Sequence, residues 1–330
     1  MKSHSSVRGS TTAPALLLFT VASAGALVPG LALACACGCG VFDVGTAAMI
    51  PTHPGGMVYL EDDFQDQNQN WVGTHSAPAA NNTDKEIATH FGGIGLDYNF
   101  NQDWGMSVKV PYWERSFTTN VGTSDAPDVV SFRHHALGDV RLLGTYTGIS
   151  ADMSTGISLG VKLPTGDWTY PNFDRDTSIG TGTTDLLLGG YHVGSISAES
   201  HLRWFAEALF QRAFDAREGY RPGNETDAAA GLLYDGFPLR GDRKLTALLQ
   251  VLGSDRLHDG GVNADPPNSG YRRVLVSPGV EADVGKWTFY GDAEFRVYHD
   301  ANAAPSVATE GTQGQLVASV LIKVIVSYSF

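Results

Sequence analysis

Cysteine is nearly absent from this chain: three residues, all inside Cys35-Ala-Cys37-Gly-Cys39. A disulfide framework across the fold is excluded, because no second cluster exists for a bridge to reach. Positive charge is also scarce, with 22 Lys and Arg against 35 Asp and Glu. So acidic a chain offers no basic patch, and nucleic acid is not an expected partner. Beyond residue 34 there is no long uncharged apolar run, so no helix is expected to cross a membrane. No Cys-x-x-Cys-His occurs, which excludes c-type haem attachment. No nucleophile is readably paired with a base, and the His-x-Ser-Asn-Gly segment of barrel phospholipases is missing, so an enzyme is not expected. His258-Asp259 and His299-Asp300 are the only local hints of one, and such histidines are ordinarily solvated.

The start of the chain is a targeting segment. Lys2 and Arg8 precede an apolar run over 15–28, and Ala32-Leu33-Ala34 forms a small-residue cleavage site. We read residues 1–34 as a secretory signal peptide. It carries two basic residues and no acidic ones, so the mature chain is more acidic still.

The last sixteen residues carry the clearest pattern. Leu316, Ala318, Val320, Ile322, Val324, Val326, Tyr328 and Phe330 form an unbroken apolar row. Gln315, Val317, Ser319, Leu321, Lys323, Ile325, Ser327 and Ser329 interleave with it. A period of two with one apolar face is a strand, and apolar outside, polar inside and aromatic at the interface is the pattern of a transmembrane β-barrel. The terminal Phe on an alternating strand resembles the signal read by the barrel-assembly machinery of Gram-negative bacteria.

Twelve segments have strand character, near 57–67, 87–100, 103–117, 131–147, 152–165, 182–196, 200–213, 226–238, 243–254, 271–284, 287–299 and 315–330. The 39 glycines and the Asn/Asp-rich connections suit so many turns. Connections alternate strictly between long polar loops and short turns, as between the extracellular and periplasmic ends of outer-membrane barrels. The expected fold is all-β, an antiparallel up-and-down transmembrane barrel of about 12 strands over 56–330, with both termini periplasmic. Residues 35–55 form a periplasmic Cys-containing extension that could tuck into the lumen. A fourteen-stranded barrel, with a further hairpin in 40–60 or in a loop, is the competing expectation. Two features strain the pattern: Glu61-Asp62-Asp63 blurs both faces of the first strand, and Pro278 falls inside a strand.

Three segments carry a resemblance. They are His135-Ala-Leu-Gly-Asp-Val-Arg-Leu142, Gly156-Ile-Ser-Leu-Gly-Val-Lys-Leu-Pro-Thr-Gly-Asp167 and Gly180-Thr-Gly-Thr-Thr-Asp-Leu-Leu-Leu-Gly-Gly190. In that order they resemble the outer-membrane transporter family named after the meta-pathway of phenol degradation, over about 87–330. The resemblance implies a small porin-like barrel for hydrophobic or aromatic compounds, and no catalytic residues.

The strand faces then nominate a lumen. Eight strands leave an interior filled by side chains and sixteen an aqueous channel, so twelve imply a narrow pore for small solutes. Its expected lining carries both signs: Lys109, Arg141, Lys162, Arg203, Arg296 and Lys323 against Glu207, Glu281, Asp292 and Glu294. Opposed charges either orient polar solutes or pair and close the barrel. A non-conducting structural or metal-binding receptor barrel is therefore the alternative. Cys35, Cys37, Cys39 and His53 could hold Cu(I) or Zn, while a disulfide, lipidation of Cys35 or an inert processing feature are the other readings. His134 and His135 are adjacent and so point to opposite faces, which prevents one ion from using both. Asp62, Asp63 and Asp66, or Asp174 and Asp176, could hold Ca²⁺ or the cations that bridge lipopolysaccharide, or be plain solvated loops. Outer-membrane lipids and lipopolysaccharide are the expected surroundings.

Overall fold

Extended backbone in lipid must hand every N–H and C=O to a neighbouring strand, and only a closed sheet does so without an edge. The computed structural model describes residues 41–303 and 313–330 except 43, 47–48, 124–125, 174, 198, 239–240 and 242. It shows such a closed sheet, a 12-stranded antiparallel barrel. The strands are β1 (Gly55–Val72), β2 (Asp84–Asn99), β3 (Trp104–Asn120), β4 (Val129–Leu137 and Arg141–Tyr146), β5 (Thr155–Lys162) and β6 (Asp185–Ser197). They continue as β7 (Leu202–Ala213), β8 (Glu225–Tyr234), β9 (Arg243–Arg256), β10 (Tyr271–Val284), β11 (Trp287–Ala301) and β12 (Gln315–Ser329). Each pairs with the next, and β12 returns to β1. Among the described residues no helix is long and apolar enough to cross a membrane.

Closure is tied at the short-turn end. Gly56 N donates to Phe330 O at 3.1 Å and Phe330 N donates to Gly56 O at 2.8 Å, so both ends of the barrel chain lie together. A Cβ on Gly56 would stand 2.2 Å from the Phe330 ring, so glycine is what lets the terminal ring lie against β1. Around the same end, Tyr98 with Phe100, Trp104 with Tyr146, Tyr234 with Phe237 and Trp287 with Tyr328 form aromatic pairs. Above them Leu60, Ile94, Met106, Leu159, Leu249, Val280, Ile322 and Val324 are exposed on the outer face. An aromatic girdle beneath an aliphatic band is the lipid-facing surface of a membrane barrel.

Local irregularities explain where the expected faces fail. Leu316 and Ala318, expected on the outer row, are buried instead, and Ser319 is exposed. The β1–β12 register shifts between Gln65 and Gln67 and again between Gln67 and Gln69, and each bulge turns the following residues over. Strict alternation from Arg296 would put Tyr298 inside, but Tyr298 is exposed and His299 is buried. A register shift between Val274 and Leu275 in the β10–β11 pair leaves Val297 unmatched and reverses the phase there. Pro278 does lie within β10, paired with Leu249 of β9, while the pairing of β10 to β11 stops at Val276 and resumes at Gly279. The missing N–H thus falls where that ladder is already interrupted. β1 also extends to Val72, because Gln65–Asn70, polar enough to suggest a loop, stays paired with β12. We expect Gly56→Val to drive the Phe330 ring off β1, at about the 1–3 kcal/mol typical of overpacking. The heat-modifiable fraction on cold gels should fall, and an unchanged fraction would contradict this account of closure.

Candidate functional site

An inward side chain in a closed barrel can meet water, another inward side chain, or something inserted from outside the sheet. All three occur here. On one wall, register puts Lys109 beside Arg141 and Arg141 beside Lys162 across β3, β4 and β5. Three cations in a row repel unless each has an acceptor. Lys109 pairs with Glu61 at 2.5 Å, Arg141 Nη2 donates to Gln211 Oε1 at 2.6 Å, and Lys162 meets Asp185 at 2.7 Å. The opposing wall carries the acids. Lys323 of β12 stands in register between Asp63 of β1 and Asp292 of β11. Asp292 also accepts from Gln250 at 2.9 Å and from Tyr290 at 2.7 Å. Among the described residues, both oxygens of Asp63, Oδ1 of Asp292 and Oε2 of Glu294 have no hydrogen-bond partner.

The third element is the segment before β1. Phe42 and Val44 are 1% exposed and pack with Phe205, Leu252, Leu275 and Leu321 of the barrel wall. Their backbone bridges the charged walls: Lys323 Nζ donates to Phe42 O at 2.8 Å, and Gly45 N donates to Glu207 Oε2 at 3.0 Å. Gly45 has φ of +83°, and a Cβ there would stand 2.7 Å from Leu252, so this close passage requires glycine. Met49 to His53 then divide the space towards the short turns. On one side lies a cavity of about 270 Å³ lined by Tyr59, Glu61, Lys109, Arg141, Tyr191 and Glu207. On the other lies one of about 940 Å³, lined among others by Arg203, Lys244, Glu281, Asp283 and Phe330.

Of the ten residues proposed for the lining, Lys109, Arg141, Glu207 and Lys323 border the smaller cavity, Arg203 and Glu281 the larger, and Lys162, Asp292 and Glu294 are buried. Arg203 reaches Asp235 at 3.8 Å, Glu281 borders the larger cavity, and Glu294 is 1% exposed. Arg296 Nη2 donates to Gln69 Oε1 at 2.6 Å and its guanidinium lies 4.2 Å from the centre of the Trp71 ring. Burial pushes the Asp235 carboxyl up. The hydrogen bond from Lys244 and the charges of Lys244, Arg203 and His201 outweigh that and hold it below its usual value. Sequence reading missed Glu61, Asp63, Tyr59 and Phe42. Asp63 was obscured by its acidic neighbours, and its partner Lys323 is visible only once the β1–β12 register is known.

The segments that carried the family resemblance meet at the loop end. Asp139 accepts from Gly166 N at 3.0 Å and from Thr181 N and Oγ1, both at 2.8 Å, and lies 3.5 Å from Lys162. A Cβ on Gly166 would fall 2.9 Å from Gly180 Cα, so the backbones touch. These residues therefore anchor the loop between β5 and β6, whose Phe173 and Tyr170 pack against Phe117 and His134.

His134 is bonded to Asp167 at 2.9 Å, while His135 stands exposed on the opposite face. His90 and Asp62 form an exposed pair, 3.0 Å apart, on the outer wall. The cysteines Cys35, Cys37 and Cys39 lie outside the described residues. His53 is exposed, with Nδ1 2.9 Å from Pro54 O. No group of three or more metal-ligating side chains is found among the described residues.

No protein-family model and no curated protein matches the chain by sequence. The barrel is similar to the crystal structure of an outer membrane channel from Pseudomonas putida F1, with a TM-score of 0.60 at 10% identity, covering 88% of this chain and 100% of that one. The beta domain of the Bordetella autotransporter BrkA aligns at 0.48 and 13% identity over 84% of this chain and 100% of that one. The monoaromatic hydrocarbon channel CymD aligns at 0.31 and 8% over 88% and 94%. The first of these establishes that the chain has the fold of an outer-membrane β-barrel.

Proposed function

We propose that this protein is a narrow, porin-like channel of the Gram-negative outer membrane, closed at rest by the segment that carries Phe42, Val44 and Gly45. The observation that carries the reading is the seating of Phe42, Val44 and Gly45 inside the lumen, with hydrogen bonds to Glu207, Lys323 and Tyr290 on different walls. A barrel built only as a scaffold has no need of a charged interior completed by a strip of backbone. Bonds of this kind to charged groups are worth about 1.5–3 kcal/mol each, and the burial of Phe42 and Val44 adds to them. With the strip withdrawn, Lys109, Arg141 and Lys162 would face Asp63, Asp292 and Glu294 across the pore. That transverse field would align dipolar solutes during passage. The fold and the resemblance to the phenol meta-pathway family support the same reading. In this reading both ends of the barrel chain lie on the periplasmic side, because short turns are periplasmic in outer-membrane barrels, and the terminal strand is the segment offered to the barrel-assembly machinery.

Deletion of residues 41–50 should raise single-channel conductance in planar bilayers severalfold. Wild type and deletion showing equally few channel events, and no solute uptake by liposomes, would favour the non-conducting receptor or structural barrel. The retaining bonds make a finer prediction. Glu207→Gln keeps an acceptor for Gly45 N but removes the charge, and Lys323→Met removes the donor to Phe42 O. Both should lengthen open events, Lys323→Met more, because it also leaves Asp63 and Asp292 without their shared cation. Open times equal to wild type in both variants would show that these bonds do not hold the strip.

A further inference from the structure

The smaller lumen cavity has a chemistry that the channel reading leaves unspecified. On its β2–β3 side, register sets Asp97 directly opposite Ser107, and Asn99 is the next residue of β2 on the same face. All three line the cavity, and none of their side chains has a hydrogen bond among the described residues. An ionised Asp97 accepts only, while Asn99 and Ser107 both donate and accept. An occupant that satisfies them must bring several donors and acceptors of its own.

Two rings complete the walls. Tyr59 of β1 lies against Gly95 of β2, where a Cβ would stand 2.0 Å from the ring. Tyr191 of β6 lies in the same way against Gly156 of β5, where a Cβ would stand 2.3 Å from the ring. The missing side chains let each ring lie along the neighbouring strand, and both rings border the cavity.

Charge narrows the choice of occupant. Glu61, Asp97 and Glu207 border the cavity with Lys109, Arg141 and Lys323, three carboxylates against three cations. Lys109 is 2.5 Å from Glu61, and its charge also reaches Asp97, so neither sign is in excess. An ionic solute would give up its hydration without meeting an excess of the opposite charge. A hydrocarbon would leave Asp97, Asn99 and Ser107 dry and unbonded. The volume of about 270 Å³ is nearly twice the roughly 150 Å³ that takes a benzene ring, which suits a six-membered ring with its substituents.

We propose that the smaller cavity binds a small neutral polyol, its hydroxyls on Asp97, Asn99 and Ser107 and its C–H faces against Tyr59 and Tyr191. Neighbouring hydroxyls on such a ring donate to the Asp97 carboxylate and bridge to Ser107 across the strand pair. The hydrogen bonds carry the selectivity, because a site built for hydroxyls discriminates strongly against analogues that lack them. The inference rests on the channel reading and names the class of solute, departing from the hydrophobic compounds that the family resemblance implies.

Glucose is the probe, titrated by calorimetry into the full-length barrel in an amine-oxide detergent, because glycoside detergents present the same chemistry. Cyclohexanol and phenol, six-membered rings with one hydroxyl each, are the comparisons. Glucose should bind saturably, and both comparisons should bind at least about tenfold more weakly. Asp97→Ala and Ser107→Ala should each weaken glucose by about tenfold, as for a lost hydrogen bond. Heat-modifiable mobility confirms that each variant is folded. Absent glucose binding, phenol or cyclohexanol binding as tightly, or wild-type glucose affinity in both variants would each overturn the proposal. Conductance measured on the same preparation separates the two claims. A conducting barrel that ignores glucose loses only this inference, and one that binds glucose without ever conducting loses only the channel.

Discussion

Lys323 is the interaction around which the interior is organised. It sits on β12, the strand that closes the barrel, in register between Asp63 on β1 and Asp292 on β11, and bonds Phe42 O as well. A single ammonium therefore spans the seam, moderates the repulsion of two buried acids and holds the segment that fills the lumen. Charge inside a membrane barrel is costly unless paired, and a cation with several acceptors lowers that cost for all of them. The opposite wall solves the same problem differently, setting Lys109 against Glu61, Arg141 against Gln211, and Lys162 against Asp185 and Asp139.

Because the walls are nearly, though not fully, neutralised, the lumen segment becomes part of the electrostatics rather than a passive stopper. Its backbone carbonyl and amide meet Lys323 and Glu207, and its side chains fill the apolar ground between Phe205, Leu252 and Leu321. The orphaned oxygens of Asp63, Asp292 and Glu294 mark where the pairing is incomplete. Those atoms are the ones a passing cationic or dipolar group would meet.

Much of this was legible in the residues. Alternation with period two located all twelve strands, since in a barrel each strand sees lipid on one side and lumen on the other. The alternation also nominated a charged row from Lys109 to Lys323, and its role as a channel lining belongs to the channel reading. The alternation failed at Leu316, Ala318 and Tyr298, each beyond a bulge, because a bulge is set by pairing with a neighbouring strand and leaves no mark in the strand's own pattern. The motif glycines Gly138, Gly166 and Gly180 signalled a family resemblance, and the structure shows them bringing backbones into contact around Asp139. The placement of Phe42 and Val44 was not legible beyond an extension that could enter the lumen, because which wall receives a short apolar strip depends on tertiary cavities.

The account stands on that strip being seated inside the barrel, and thiol protection measures this most directly. In a chain with Cys35, Cys37 and Cys39 replaced by Ser, Val44→Cys would be challenged with a membrane-impermeant maleimide in proteoliposomes and again after thermal unfolding. Val44 is 1% exposed in the lumen, so labelling should be slow in the folded barrel, fast once unfolded, and accelerated by adding Lys323→Met. Labelling of the folded barrel as rapid as that of the unfolded chain would contradict the account.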